Sequence, residues 1–376
     1  MHKRSLATAV LCGGLRVAAA HSAHSATNCT AAAAASALVA FGEAVMTFKP
    51  RPPTPGHVAL PLAAPAAEVV QAVGGAELNV AVALSRVSAA PTASYVSVLP
   101  HGPLGDAVRS AAEASGVATE NVVVDGSPHS VLGTLHVVDD GSGPRPHYQR
   151  HHSAFATVRG DTFDWPSLLS PAKWLHVTGI TPLLGPGPAA AWSTALEAAA
   201  ATDGCDVSLD FNHRPALGSL EELWALVQPH VAARAVTLLM LSEDSLRRLA
   251  EREGVWPGEG GEHASQAAAL SSLRQRWGVP LLGCCFKRAA APREAASGGL
   301  KDTLFGGGGV VRWSVVATAA GEVSTGDTPV VCGTQMEAAL EKTLGRSRRC
   351  CRRRRTVENG QPAAYSLCAQ PRTPWL

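Results

Sequence analysis

Val207-Ser208-Leu209-Asp210-Phe211-Asn212-His213-Arg214-Pro215-Ala216-Leu217-Gly218 runs from a short apolar stretch into polar side chains and stops at proline and glycine. Residues 207–211 read as a buried strand bounded by turn signals. Carried on at period 2, Asp210, Asn212 and Arg214 face one side. That side is a cleft at the C-terminal end of the sheet, where open α/β folds bind ligands.

Working outward, strand and helix patterns alternate. Upstream, an apolar run over 38–46 that meets Gly42 reads as a buried strand entering a turn, further strands are expected over 95–99, 121–124, 131–138 and 174–177, and helices over 76–87, 104–115 and 189–201. Leu78, Ala81, Val82 and Leu84 share one face of the helix over 76–87. Downstream, helices over 220–231, 244–252 and 264–277 alternate with strands over 237–241 and 280–285. Residues 287–309 read as a polar, Gly-rich loop, 310–318 as a strand with a hairpin partner from 321, and 335–344 as a last helix. Alternation of this kind predicts an α/β three-layer fold on a mostly parallel sheet.

The 376 residues suffice for one large domain or two modest ones, and with 46% apolar and 16% charged residues the chain can bury a sizeable core. A net charge of +2 gives no general case for nucleic acid or an anionic membrane. No stretch reaches the ~18–20 unbroken apolar residues of a membrane-spanning helix. Nine cysteines without a C-x-x-C pair argue against structural zinc or a disulfide framework, and for a reducing compartment. Glu43 is the first acid, after Lys3, Arg4 and Arg16. Residues 1–36 therefore have the composition of an organelle transit peptide; a secretory signal and an unstructured leader are the alternatives. The first reading places the protein in a chloroplast or mitochondrion, the last in the cytoplasm. Residues 346–355 hold seven arginines, and 332–376 read as a divergent basic tail.

Four segments, in order, resemble the ribokinase-like (PfkB-type) sugar kinases, closest to the 2-keto-3-deoxygluconate kinases. They are Phe41-Gly42-Glu43, then Gly74-Gly75-Ala76-Glu77-Leu78-Asn79-Val80-Ala81, then Tyr148-Gln149-Arg150-His151-His152-Ser153-Ala154, and the opening stretch itself. Lesser matches lie at Leu104-Gly105-Asp106, at Trp174–Ile180 and at Gly283–Arg288. The resemblance covers roughly residues 38–331 and implies a kinase domain over 37–331 with a small β lid. It also implies ATP and magnesium as cofactors and a small sugar acid as substrate. Partners would then be that acid and ATP, with no nucleic acid and no membrane, and a homo-oligomer through the lid is one option.

The resemblance assigns Gly75, Asn79, Tyr148, Arg150 and Arg214 to the substrate, and Asp210 and Asn212 to the phosphate or magnesium side. Two glycines let backbone approach a sugar, and a guanidinium meets a carboxylate in a bidentate way. Period 2 puts Tyr148 and Arg150 on one strand face. Ser242 and Ser245 stand where the family carries Asn and Glu near magnesium. The family's closing G-A-G-D turn and helix are not found after residue 331. Asp327, in Ser324-Thr325-Gly326-Asp327, is a weak catalytic candidate because Thr328-Pro329-Val330-Val331 follows it. Two readings stay open: an ATP-dependent sugar kinase, or a catalytically inactive relative that binds a sugar acid or a protein.

Overall fold

The computed structural model describes residues 37–50, 68–88, 93–139, 144–257, 262–289, 310–318 and 321–324. The expected leader, the basic tail, the helix over 335–344 and Asp327 lie outside the described residues. The chain opens with β1 (Leu38–Phe41), β2 (Val45–Pro50), β3 (Val69–Gly74), α1 (Ala76–Val87), β4 (Ala93–Pro100) and α2 (Pro103–Ala114). Four strands follow: β5 (Val117–Ala118), β6 (Val122–Asp125), β7 (Gly133–Asp139) and β8 (Pro144–Gln149). Next come α3 (Trp165–Leu169), β9 (Trp174–Thr178), α4 (Pro186–Ala201), β10 (Asp206–Asp210), α5 (Leu220–Ala232) and β11 (Leu238–Ser242). The described part ends with α6 (Glu243–Arg252), α7 (Glu262–Trp277), β12 (Leu281–Ala289), β13 (Val310–Thr318) and β14 (Gly321–Ser324).

The large sheet runs β14-β13-β12-β11-β10-β9-β1-β4-β5, with β6 beside β4. Its strands from β12 to β5 are parallel, and β13 and β14 close one edge as antiparallel neighbours. Alternate residues of β1 go to opposite cores: Val39 and Phe41 to one face, Leu38 and Ala40 to the other. Burial on both faces is why these strands read as unbroken apolar runs. The expected three-layer α/β fold is the observed one.

The small sheet, β3-β2-β7-β8, branches off after β1. The chain leaves β1 through Gly42 and Glu43, builds two lid strands, and returns through α1 to β4. It later comes back on the other side of β1 as β9. The strand order thus reverses at β1, and parallel sheets hold their ligands outside the carboxyl ends at such a reversal.

Two expectations need correction. Residues 287–289 extend β12 rather than opening a loop, since Phe286 to Ala289 pair with Trp313 to Val310 on β13. The loop of 131–132 precedes β7, which begins at Gly133; Val131 makes only an isolated bridge to Ser153.

An aromatic cluster supports the end of β1. The Phe41 ring lies 4.9 Å from that of Trp165, 5.5 Å from Phe155 and 5.6 Å from Phe163. Phe41, Phe155 and Trp165 are fully buried. Phe41→Ala should cost about 3–5 kcal/mol, the range for emptying a buried aromatic site. Urea unfolding measures it, and a loss below about 1 kcal/mol would show that the cluster collapses without Phe41.

Candidate functional site

Glu77 lies in the first turn of α1 and is buried at the sheet reversal. Thr178 Oγ1, at the end of β9, donates to Glu77 Oε1 at 2.6 Å, and Thr181 Oγ1 does so at 3.4 Å. Gly42 lies against the carboxyl so closely that a Cβ there would overlap it. The carbonyl of Gly42 accepts from Tyr95 Oη at 2.7 Å and Ser97 Oγ at 2.8 Å, both on β4. One helix start therefore gathers the ends of β1, β4 and β9. Burial pushes the Glu77 carboxyl up to about 7, against the opposing hydroxyl of Thr178, its own backbone amide, Thr181 and the charge of Arg150.

Beside this junction a cleft of about 790 Å3 opens between the end of β4 and the small sheet. Tyr148 and Arg150 line it together with His101, Leu132 and His151. Strand β8 ends at Gln149, so Arg150 is past the strand and does not share its face by alternation. Tyr148 and Arg150 meet nonetheless, with the guanidinium stacked 4.3 Å from the centre of the Tyr148 ring. Arg150 Nη1 also lies 3.1 Å from Glu43 Oε2, a charge contact rather than an aligned hydrogen bond. Gly75 caps α1 at φ 147, where a Cβ would stand 2.8 Å from the carbonyl of Glu43. Asn79 sits on an exposed position of α1, in contrast to the inward-facing Glu77.

The predicted cluster after β10 is only partly assembled. Asp210 ends the strand beside Thr178, and its carboxylate accepts from the amide of Asn212 at 3.0 Å. Asn212 takes up a left-handed φ of 42, so the period of two breaks there and the three side chains do not line one strand face. Arg214 is exposed, and its Nη1 donates to the carbonyl of His213 at 3.1 Å. Burial pushes Asp210 up to about 6, opposed by the Arg214 charge and the Asn212 amide.

No group of three or more His, Cys, Asp or Glu able to hold a metal occurs among the described residues. Ser242 caps α6, and its Oγ donates to Ser245 Oγ at 2.9 Å. Asp210 thus offers a lone carboxylate, which suits a magnesium ion carried in by phosphates and not one held by the protein alone. Glu43 and Glu77 gained no role from the sequence, although an acid set among apolar residues was a signal for both.

Residues 12–277 match the family model of the pfkB family carbohydrate kinases. Among solved structures the chain is similar to a 2-dehydro-3-deoxygluconokinase from Thermotoga maritima. They share 23% identity with a TM-score of 0.60, over 76% of this chain and 78% of that one. It is also similar to a fructokinase with bound ATP from Xylella fastidiosa (21%, TM-score 0.53, 76% and 72%). A third is a protein described as ribokinase II from E. coli in complex with ATP and magnesium (15%, TM-score 0.55, 78% and 79%). At these identities the likeness is one of fold.

Glu77 makes stability depend on pH with a definite sign. Its value in the fold, about 7, exceeds the ordinary 4.5. Its contribution is then full below 4.5 and lost as pH rises through about 7. Between about pH 5 and pH 8 the protein should lose on the order of 3 kcal/mol, at about 1.4 kcal/mol per tenfold in proton affinity. Asp210 adds a smaller slope of the same sign. Denaturant unfolding of wild type and Glu77→Gln across that range checks this. The variant should have the flatter profile; an unchanged slope would contradict the assignment.

Proposed function

Because this chain belongs to the pfkB family of carbohydrate kinases, we propose that it phosphorylates an acidic sugar with ATP, 2-keto-3-deoxygluconate or a close relative. The observation that carries the acidic-sugar reading is the Arg150 guanidinium stacked on Tyr148 in the wall of the cleft. A planar cation beside an aromatic ring suits a ligand with a carboxylate at one end and a sugar chain behind it. Arg214 supplies a second cation beyond the end of β10.

In this reading a sugar hydroxyl attacks the γ-phosphorus of ATP, the bond to the β-bridging oxygen breaks and ADP leaves. The hydroxyl proton passes to a base, for which Asp327 is the weak candidate already noted. Asp210 and Asn212 would face the phosphates and their magnesium. When bound, that ion neutralises charge on the phosphates. The protein's share is positioning. The end of β4 forms one wall of the cleft, and the small sheet holds Tyr148 on the other.

A second reading, a relative that binds the sugar acid without transferring phosphate, draws support from Ser242 and Ser245. Their hydroxyls bond each other where the resemblance expects Asn and Glu. One assay separates the two. ADP release is followed with ATP and magnesium, adding either 2-keto-3-deoxygluconate or fructose, for wild type and Arg214→Ala. The kinase reading predicts release that depends on the acid, with the KM for the acid raised roughly 10- to 150-fold in the variant. That range corresponds to about 1.5–3 kcal/mol for a hydrogen bond to a charged group. Binding of the acid by calorimetry without ADP release would favour the second reading. Equal loss for both sugars would remove Arg214 from the carboxylate.

A further inference from the structure

Glu43 is a buried acid that the reading above leaves unused. It stands where the chain leaves β1 for β2, between the body and the small sheet. Three elements converge on it. Ser153 Oγ donates to its Oε1 at 2.6 Å, and Arg150 Nη1 is 3.1 Å from its Oε2. Gly133 on β7 completes the nest: a Cβ there would fall 2.8 Å from Glu43 Oε1 and 3.3 Å from Arg150 Cβ, so a larger residue would displace the pair. The two side chains are only 3% and 9% exposed. A buried ion pair contributes little stability once its desolvation is counted, so this one invites another explanation.

Arg150 is fixed at one edge by the Glu43 carboxylate and on one face by the Tyr148 ring. Its Nε is buried and has no hydrogen-bond partner among the described residues. The residue nevertheless lines the cleft, held between a carboxylate and an aromatic ring. Its charge, however, is not free, because Glu43 sits against it and Glu77 is close enough to feel it.

We infer that Glu43 is a positioning residue that sets specificity in the sugar cleft: it pins Arg150 against Tyr148 and offsets its charge. The cleft then meets a ligand carboxylate with a correctly placed but largely neutralised cation, and neutral sugar hydroxyls are accepted beside acids. This rests on reading the cleft as a sugar site. Glu43→Gln leaves one oxygen where the carboxylate has two, so Ser153 can keep its acceptor while Arg150 loses both its counter-charge and its anchor.

Two readouts on the full chain test it. The first needs no ligand: modification by phenylglyoxal, followed at each arginine by peptide mass spectrometry. Arg150 should react several-fold more slowly than the exposed Arg214, and Glu43→Gln should raise the Arg150 rate several-fold while leaving Arg214 unchanged. The second is calorimetric titration with 2-keto-3-deoxygluconate and with fructose. Glu43→Gln should raise the acid-to-neutral affinity ratio on the order of tenfold, as expected for removing a like charge a few ångströms from the ligand carboxylate at intermediate dielectric. That gain should vanish in an Arg150→Gln background. An unchanged Arg150 rate, or an unchanged ratio in a folded Glu43→Gln protein that binds sugar, overturns the inference. Should Glu43→Gln fail to fold, Glu43→Asp must raise the Arg150 rate by drawing the carboxylate back, and equal rates overturn it. If wild type binds neither sugar while Arg150 responds as stated, the sugar-acid reading falls and the pinning of Arg150 by Glu43 stands.

Discussion

A carboxyl group buried where the sheet reverses is the constraint from which the rest of this structure follows. Glu77 can reach Thr178 only because Gly42 has no side chain, and the carbonyl that Gly42 presents is taken by Tyr95 and Ser97. Leaving an acid in the interior is costly; here Thr178 donates to Glu77 and burial raises its pKa to about 7. What that cost maintains is a fixed relation between the carboxyl ends of β1, β4 and β9.

The lid depends on the same region. Glu43, two residues after β1, draws Arg150 and Ser153 back towards the body, so the last turn of the small sheet is tied to the strand from which the sheet departs. Two buried acids thus carry polar groups at the root of the lid: Glu77 with Thr178 and Thr181, and Glu43 with Ser153 and Arg150. Such groups are high-stakes in a low dielectric: satisfied, they specify one arrangement, and a single lost partner leaves a buried group unpaired. Arg150 belongs both to the lid anchor and to the cleft wall.

The body of the fold was legible because its strands are buried on both faces. Runs such as residues 38–41 and 238–241 show as unbroken apolar stretches whatever their neighbours are. Edge strands were harder. Pro144 and Pro146 obscure β8, yet β8 lies at the margin of the small sheet, where a missing amide is tolerated. Lys287 and Arg288 hid the end of β12, which is a strand by virtue of its pairing with β13. In the site, Tyr148 and Arg150 were expected on one strand face, but β8 ends at Gln149 and the two meet by stacking past the strand end. The period failed again after Asp210, because Asn212 adopts the left-handed conformation that asparagine tolerates and the chain turns. Glu43 and Glu77 stayed silent because an acid's role in an apolar segment depends on partners about a hundred residues away, and no local pattern carries that.

The proposed sugar cleft lies between the end of β4 and the small sheet, beside the reversal of the large one. Amide hydrogen exchange by mass spectrometry, with and without saturating 2-keto-3-deoxygluconate, tests it most directly. The account predicts slowed exchange over residues 100–104 and 131–154, with α5, α6 and α7 unchanged. Slowing confined to those helices, or none anywhere at a ligand concentration shown by calorimetry to saturate, would contradict it.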